Sequence, residues 1–175
     1  MNIHLPFTKD VIKTLKAGDT ISVSGVMFTA RDAAHKRMAE ALAAGKPLPF
    51  DLTGQTIYYA GPCPAKPGRV IGSCGPTTSC RMDQFAPALL DLGLLAMVGK
   101  GDRSDAVADA IKRNGAVYLA AIGGAGALYA NAIKQVDVIA YEDLGPESVK
   151  RLVVENMPLT VVIDCFGNNL YRRTS

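Results

Sequence analysis

Two continuous apolar runs constrain this chain more than anything else in it. "LLAMVGKG" (94–101) and "GAVYLAAIGG" (115–124) show no polar alternation, which is the pattern of strands covered on both faces. Between them, "SDAVADAIKR" carries apolar residues at helical spacing behind a capping serine, so Ser104 is expected to open a helix reaching Arg113. A buried strand, a helix and a second buried strand in succession is the signature of an α/β layer structure. The same rhythm continues with a short helix near 125–132, then "QVDVIAYEDLG", and "LTVVIDCFGN" is read as the strand that closes the sheet.

The first half is richer in strands. Thr8 is expected to cap a short helix reaching Leu15 and ended by Gly18. "DTISVSGVMFT" (19–29) alternates as a strand does, with room for a glycine bulge. Thr29 is then expected to cap "ARDAAHKRMAEALAAG", a run of good helix formers closed by Gly45. "QTIYYAG" (55–61) reads as a strand, the proline-rich "PCPAKPG" as a turn, "RVIGS" as a second short strand, and 82–92 as a helix. We expect one compact α/β domain over 1–175, with a mixed, partly parallel sheet that can form two layers.

Composition excludes little but excludes it firmly. No apolar run approaches the roughly 18–20 residues that span a bilayer, and "MNIHLPFTKD" lacks the pattern of a secretory signal. A cytoplasmic protein is the simplest expectation. A net charge of +3, with scattered basic residues and no interleaved aromatics, does not suggest nucleic acid. Cys63, Cys74, Cys80 and Cys165 match neither CxxC nor a ferredoxin spacing, and His4 and His35 are remote from them in sequence, so no metal held wholly by this chain is expected.

Polar chemistry gathers beside glycine in four places: "TARDAAHKR" (29–37), "GSCGPTTSCRMD" (72–83), "GKGDRSD" (99–105) and "GGAG" (123–126). Three of these fall at strand-to-helix junctions, where open α/β sheets collect ligands. Neither glycine of 72–83 is followed by the lysine of a phosphate loop, and "GGAGALY" is a poor dinucleotide fingerprint, so tight packing is the simpler role for those glycines. Thr77 offers a hydroxyl, Arg81 a fork suited to carboxylate or phosphate, and Lys100 an ammonium between glycines directly after a buried strand. Arg31 stands in the first turn of its helix, where the macrodipole disfavours a cation unless an anion faces it. A purely structural role remains open at this point: Thr77 or Thr78 as a cap, Arg81 paired with Asp83, Lys100 solvated, and His35 packed.

"GPTTSCRMD" resembles the GPTT(S/A)xRMD motif of the class I, iron–sulfur-dependent fumarases and their tartrate dehydratase relatives. "TARDAAHKR" and "GKGDRS" match in order and separation, "AAIGGAGALYA" matches apart from Gly126, and "YEDLGPESV" and "VVIDCFGN" have counterparts. The resemblance implies a swivelling β/β/α domain. The start at Met1 and the length of 175 residues resemble a separate β subunit, equivalent to the family's C-terminal domain. It further implies a 4Fe-4S cluster held by a partner α subunit, not by this chain, and a hetero-oligomer, expected to be a heterotetramer. Carried over by motif, Arg31, Arg81 and Lys100 would hold the carboxylates of a small dicarboxylate. Thr77 would lie beside the carbon that gains or loses a proton, either relaying that proton or only positioning substrate. The expected activity is reversible hydration of fumarate to malate. The alternatives are L(+)-tartrate dehydratase, a related dicarboxylate hydratase, and a non-catalytic anion-binding or assembly domain.

Overall fold

The computed structural model describes residues 1–122 and 124–172. The strands are β1 (Asn2–His4), β2 (Thr20–Thr29), β3 (Thr56–Tyr58), β4 (Ala96–Gly99), β5 (Val117–Ala120), β6 (Ile133–Ala140) and β7 (Val149–Ile163). The helices are α1 (Lys9–Ile12), α2 (Asp32–Ala43), α3 (Ala86–Asp91), α4 (Asp105–Asn114) and α5 (Gly126–Ala132). Short 3-10 turns cover Ser79–Met82, Glu142–Glu147 and Leu170–Arg172.

The sheet runs β1-β2-β3-β4-β5-β7-β6, and β2 also pairs with β7. Neighbours from β1 to β5 are parallel, whereas β7 is antiparallel to β2, β5 and β6. The pairings therefore close a ring, β2-β3-β4-β5-β7 and back to β2, with β1 and β6 continuing the wall formed by β2 and β7. This is the mixed, partly parallel sheet read from the sequence.

Alternation along the strands fills two cores. Tyr58, Val98, Val117 and Leu119 point into the ring against Ile21, Val23, Leu152 and Val154. Ile57, Tyr59, Met97 and Tyr118 point outward and pack under Met38 of α2, Leu89 and Leu90 of α3, and Ile111 of α4. A strand apolar on both faces was the feature that singled out 94–101 and 115–124, and burial of each such side chain is worth roughly 1.5–3 kcal/mol. Two layers of sheet and one of helix result.

Local signals position most elements as expected. Thr8 Oγ1 accepts from the Val11 amide at 3.2 Å, and Ser104 Oγ accepts from the Val107 amide at 3.3 Å. Gly115 closes α4 in the left-handed conformation, at φ +62°. The β2–β7 register shifts between Val23 and Gly25, the glycine bulge anticipated above. Gly25 has φ +127°, and a Cβ there would lie 2.9 Å from the Leu5 carbonyl oxygen, so no other residue fits.

Four expectations need correction. Thr29 does not cap α2: the strand continues through it because it pairs with Lys150, whose amide donates to the Thr29 hydroxyl at 3.2 Å. Arg31 takes the N-cap position instead, with no side-chain cap bond. "RVIGS" is no strand. Its Gly72 and Ser73 bond back to Cys63 at 3.1 and 2.9 Å within a loop whose three prolines break a ladder. The helix expected from Met82 starts only at Ala86, because Pro87 cannot sit deeper in a helix than its first turn. Finally, β7 begins ten residues before Leu159 and is the longest strand, 15 residues.

Candidate active site

The parallel strands β2, β3 and β4 deliver their carboxyl ends to one side of the sheet, and the sequence-selected residues follow directly. Arg31 lies two positions beyond β2, and Lys100 one beyond β4. The turn carrying Thr77 is stitched between two strand exits. The Thr77 amide donates to the Tyr59 carbonyl at 2.7 Å, and the Ser79 amide donates to the Lys100 carbonyl at 2.9 Å. Thr78 forms a parallel bridge with Lys100. Ser79 is fully buried with its hydroxyl over Gly99, where a Cβ would collide with that oxygen and approach the Tyr59 ring to 2.9 Å. Gly99 is thus needed for close approach, not for an unusual backbone.

Arg81 reaches from this turn to α2, where its Nε donates to Asp32 Oδ1 at 2.9 Å. Arg31 approaches the same carboxylate from the other side, with Nη2 3.7 Å from Asp32 Oδ2, and its Nε is 3.9 Å from Glu147 Oε1. Those separations are ion-pair distances but too long for hydrogen bonds. Arg31 Nε and Asp32 Oδ2 are both buried and lack a hydrogen-bond partner among the described residues. Gly61 lets the guanidinium lie flat, since a Cβ there would be 3.0 Å from Arg31 Nη1. Two arginines therefore converge on one aspartate with donor capacity to spare. Among the described residues, the Lys100 ammonium and the Thr77 hydroxyl have no side-chain partner, and Thr77 is nearly buried.

A second polar cluster lies beneath the first. The Arg103 guanidinium is fully enclosed: Nε donates to Asp83 Oδ1 at 2.7 Å and Nη2 to the Tyr59 hydroxyl at 3.2 Å. Its Cζ sits 5.2 Å from the centre of the Tyr59 ring and 4.8 Å from that of Tyr118, in cation–π range. Asp83 Oδ2 accepts the Ser104 amide at 2.7 Å. The Tyr118 hydroxyl is 2.8 Å from Ser79 Oγ and 2.7 Å from the Gly101 carbonyl. Asp83 is thus taken by Arg103, and the surface pairing of Arg81 with Asp83 does not form.

His35 is a packed histidine. Its Nδ1 is 2.9 Å from the Arg31 carbonyl, its ring meets Tyr59 edge-on, and burial pushes its pKa down to about 4. Its neutral imidazole donates to that carbonyl and steadies the first turn of α2. Lys150 lies under the 142–147 turn, and its Nζ bonds Ser148 Oγ at 2.7 Å and the Gly145 and Pro146 carbonyls at 3.2 Å each. That turn returns Glu147 to Arg31 and to the Ala33 amide, at 3.3 Å. Of the "GGAG" stretch, Gly123 lies outside the described residues. Gly126 opens α5 in close contact with Ser73 and Gly75, which accords with tight packing.

The cysteines do not form a cluster-binding set. Cys63 and Cys80 are exposed, Cys74 and Cys165 are buried, and all four are free thiols. Burial pushes Cys74 up to about 12, so it is no thiolate donor. Among the described residues, no three His, Cys, Asp or Glu gather as metal ligands do. The donors present do not fit a 4Fe-4S group. Nor do the four site residues enclose a ligand: they form one wall, with the Arg81 side chain half exposed. A cavity of about 900 Å³ lies elsewhere, among Lys16, Asp105, Asp164 and Arg172. Among the described residues, no helix is long and apolar enough to cross a membrane.

Comparison with known proteins shows the family. The family model described as "Fumarase C-terminus" matches residues 1–174. The chain belongs to the fumarase C-terminus family. It is 41% identical over 174 residues to the putative L(+)-tartrate dehydratase subunit beta of Methanocaldococcus jannaschii, covering 96% of this chain and 89% of that one. It is 44% identical over 155 residues to the mitochondrial fumarate hydratase 1 of Leishmania major, covering 87% of this chain and 28% of the relative. The anaerobic class I fumarate hydratase of Escherichia coli K12 is 38% identical over the same coverage of each. This member of the fumarase C-terminus family therefore spans little more than a quarter of those fumarate hydratases.

The structure places Arg31, Thr77, Arg81 and Lys100, the residues singled out from the sequence, at one end of the sheet. Sequence reasoning missed Asp32, the carboxylate the two arginines share, although it adjoins Arg31. It also missed Arg103, and offered Asp83 only as a partner for Arg81, because no spacing within the quoted motifs marks Arg103 and Asp83 as partners.

Proposed function

We propose that this chain is the β subunit of a class I hydro-lyase acting on a C4 dicarboxylate, with fumarate and malate as substrate and product. It supplies one wall of a site whose other wall, and the family's 4Fe-4S cluster, belong to an α subunit, in a cytoplasmic heterotetramer. The observation that carries this reading is the pair of arginines around Asp32, where Arg31 Nε is buried without a hydrogen-bond acceptor among the described residues. A buried guanidinium donor left unpaired is costly and calls for an anion to complete it.

The chemistry accounts for the residue types. In the direction of dehydration, a proton leaves the carbon beside a carboxylate, and negative charge spreads onto that carboxylate. Arg31, Arg81 and Lys100 hold cations where this charge grows, so they favour the transition state over the ground state. Thr77 Oγ1 has no side-chain partner among the described residues, and in this reading it lies beside the reacting carbon. A free threonine hydroxyl is a weak base, so in a relay role it requires a carboxylate or histidine of the partner to take up its proton. In a positioning role it donates a hydrogen bond to substrate.

Tartrate is the second reading, favoured by the Methanocaldococcus jannaschii relative, whose length this chain nearly matches. Anaerobic co-expression with an α subunit, followed by fumarate and tartrate assays of wild type and Thr77→Ala, tests both. Turnover that needs both chains and collapses at least a hundredfold in Thr77→Ala is the expected result. Turnover of tartrate and not fumarate reassigns the substrate, and full activity in Thr77→Ala removes Thr77 from the site.

A further inference from the structure

We propose that Arg103 is a positioning residue that sets the separation between the turn bearing Thr77 and Arg81 and the loop bearing Lys100. This rests on the reading of those residues as a dicarboxylate grip. The two segments come from different parts of the chain, and their backbones meet at Lys100, through its bridge to Thr78 and the Ser79 amide. Arg103 belongs to the Lys100 loop, and Asp83 ends the Thr77 turn. Their side chains join at 2.7 Å, and the second carboxylate oxygen returns to the Ser104 amide at 2.7 Å. One carboxylate from the turn thus grips the loop twice.

Stability alone does not account for this arrangement. A buried ion pair gives back most of its Coulombic gain as desolvation, and well-packed apolar residues in the same volume often do as well. What the pair supplies is direction. A guanidinium is a rigid fork, here clamped by Asp83 on one nitrogen, by the Tyr59 hydroxyl on another and by the Tyr59 and Tyr118 rings at its carbon. Tyr59 and Tyr118 also hold the site from below. The Tyr59 carbonyl receives the Thr77 amide, and the Tyr118 hydroxyl bridges Ser79 to Gly101. Every bond Arg103 makes to the Tyr59, Asp83 and Tyr118 side chains ends on a residue that carries or touches one of the two segments. None of its side-chain atoms reaches the surface.

The test uses the complex assembled with the α subunit and three variants: Arg103→Met, Arg103→Lys and Tyr59→Phe. Turnover of fumarate is read as kcat and KM, and amide hydrogen exchange is followed across 77–83, 99–104 and β7. Arg103→Met is expected to lower kcat/KM about a hundredfold, the scale of a misplacement near 1 Å. Exchange is expected to rise in 77–83 and 99–104 while β7 stays protected. Arg103→Lys keeps the charge without the fork and recovers less than a tenfold share of the loss. Tyr59→Phe, a milder change that leaves the core packed, lowers kcat/KM several-fold with the same exchange pattern. Wild-type kinetics in Arg103→Lys, or exchange that rises equally in β7, overturns the proposal. If Arg103→Met does not fold, an unchanged Tyr59→Phe overturns it. A wild-type complex that turns over no dicarboxylate refutes the functional reading instead, and the exchange pattern alone then decides whether Arg103 ties the segments.

Discussion

At the scale of single residues, the site is a set of unsatisfied donors held in place by satisfied ones. Arg31 has spare hydrogen-bonding capacity because Asp32 and Glu147 stand at 3.7 and 3.9 Å. Arg31→Lys keeps the charge and loses the fork, so in the assembled enzyme it is expected to lower kcat/KM by ten- to a hundredfold. Arg31→Ala is expected to cost ~3 kcal/mol of barrier, measured by steady-state turnover. His35 makes a different prediction. Its folded-state pKa of about 4 lies below the ordinary 6.5, so between those values the unfolded chain binds a proton that the native chain refuses. Stability therefore falls as pH falls through that window, by about 2 kcal/mol between pH 7 and pH 5. Urea midpoints at the two pH values check this, and His35→Gln should flatten the difference.

At the scale of elements, what could be read from the sequence divides by the range of the interaction. Caps at Thr8 and Ser104 and the bulge near Gly25 are local chemistry, and each was legible. The doubly covered strands β4 and β5 declared themselves by continuous apolar runs. Thr29 misled because a threonine before a helical run looks like a cap, whereas its hydroxyl is spent on β7, more than a hundred residues away. The first ten residues of β7 went unread because Lys150, Arg151, Glu155, Asn156 and Pro158 interrupt its alternation, and only pairing with β2 shows the strand. Arg31, Thr77, Arg81 and Lys100 were singled out through motif likeness. That Arg31 and Arg81 meet at Asp32 was not legible, since no spacing of 49 residues specifies a contact. Gly99→Ala tests the junction of β4 with the Thr77 turn. The added methyl meets the Ser79 hydroxyl and should destabilise by ~1–3 kcal/mol in denaturant melts. Ser79→Ala in the same background should recover part of that loss.

At the scale of the whole molecule, the two cores share walls. β2 and β7 line the inner core, and the ring they close carries the outer core on its back. Leu152→Ala within the ring and Met38→Ala under α2 should each lower stability by roughly 2–5 kcal/mol. Both variants should still unfold in one transition, with far-UV and near-UV signals superimposed, because neither core has a separate frame to fall back on. That shared frame has a further consequence. Arg31 and Lys100 follow β2 and β4, strands of that one ring, and the turn bearing Thr77 and Arg81 is tied to Tyr59 and Lys100, so the four groups form the jaw of a vice. On the function proposed above, the partner that closes against it supplies the travel.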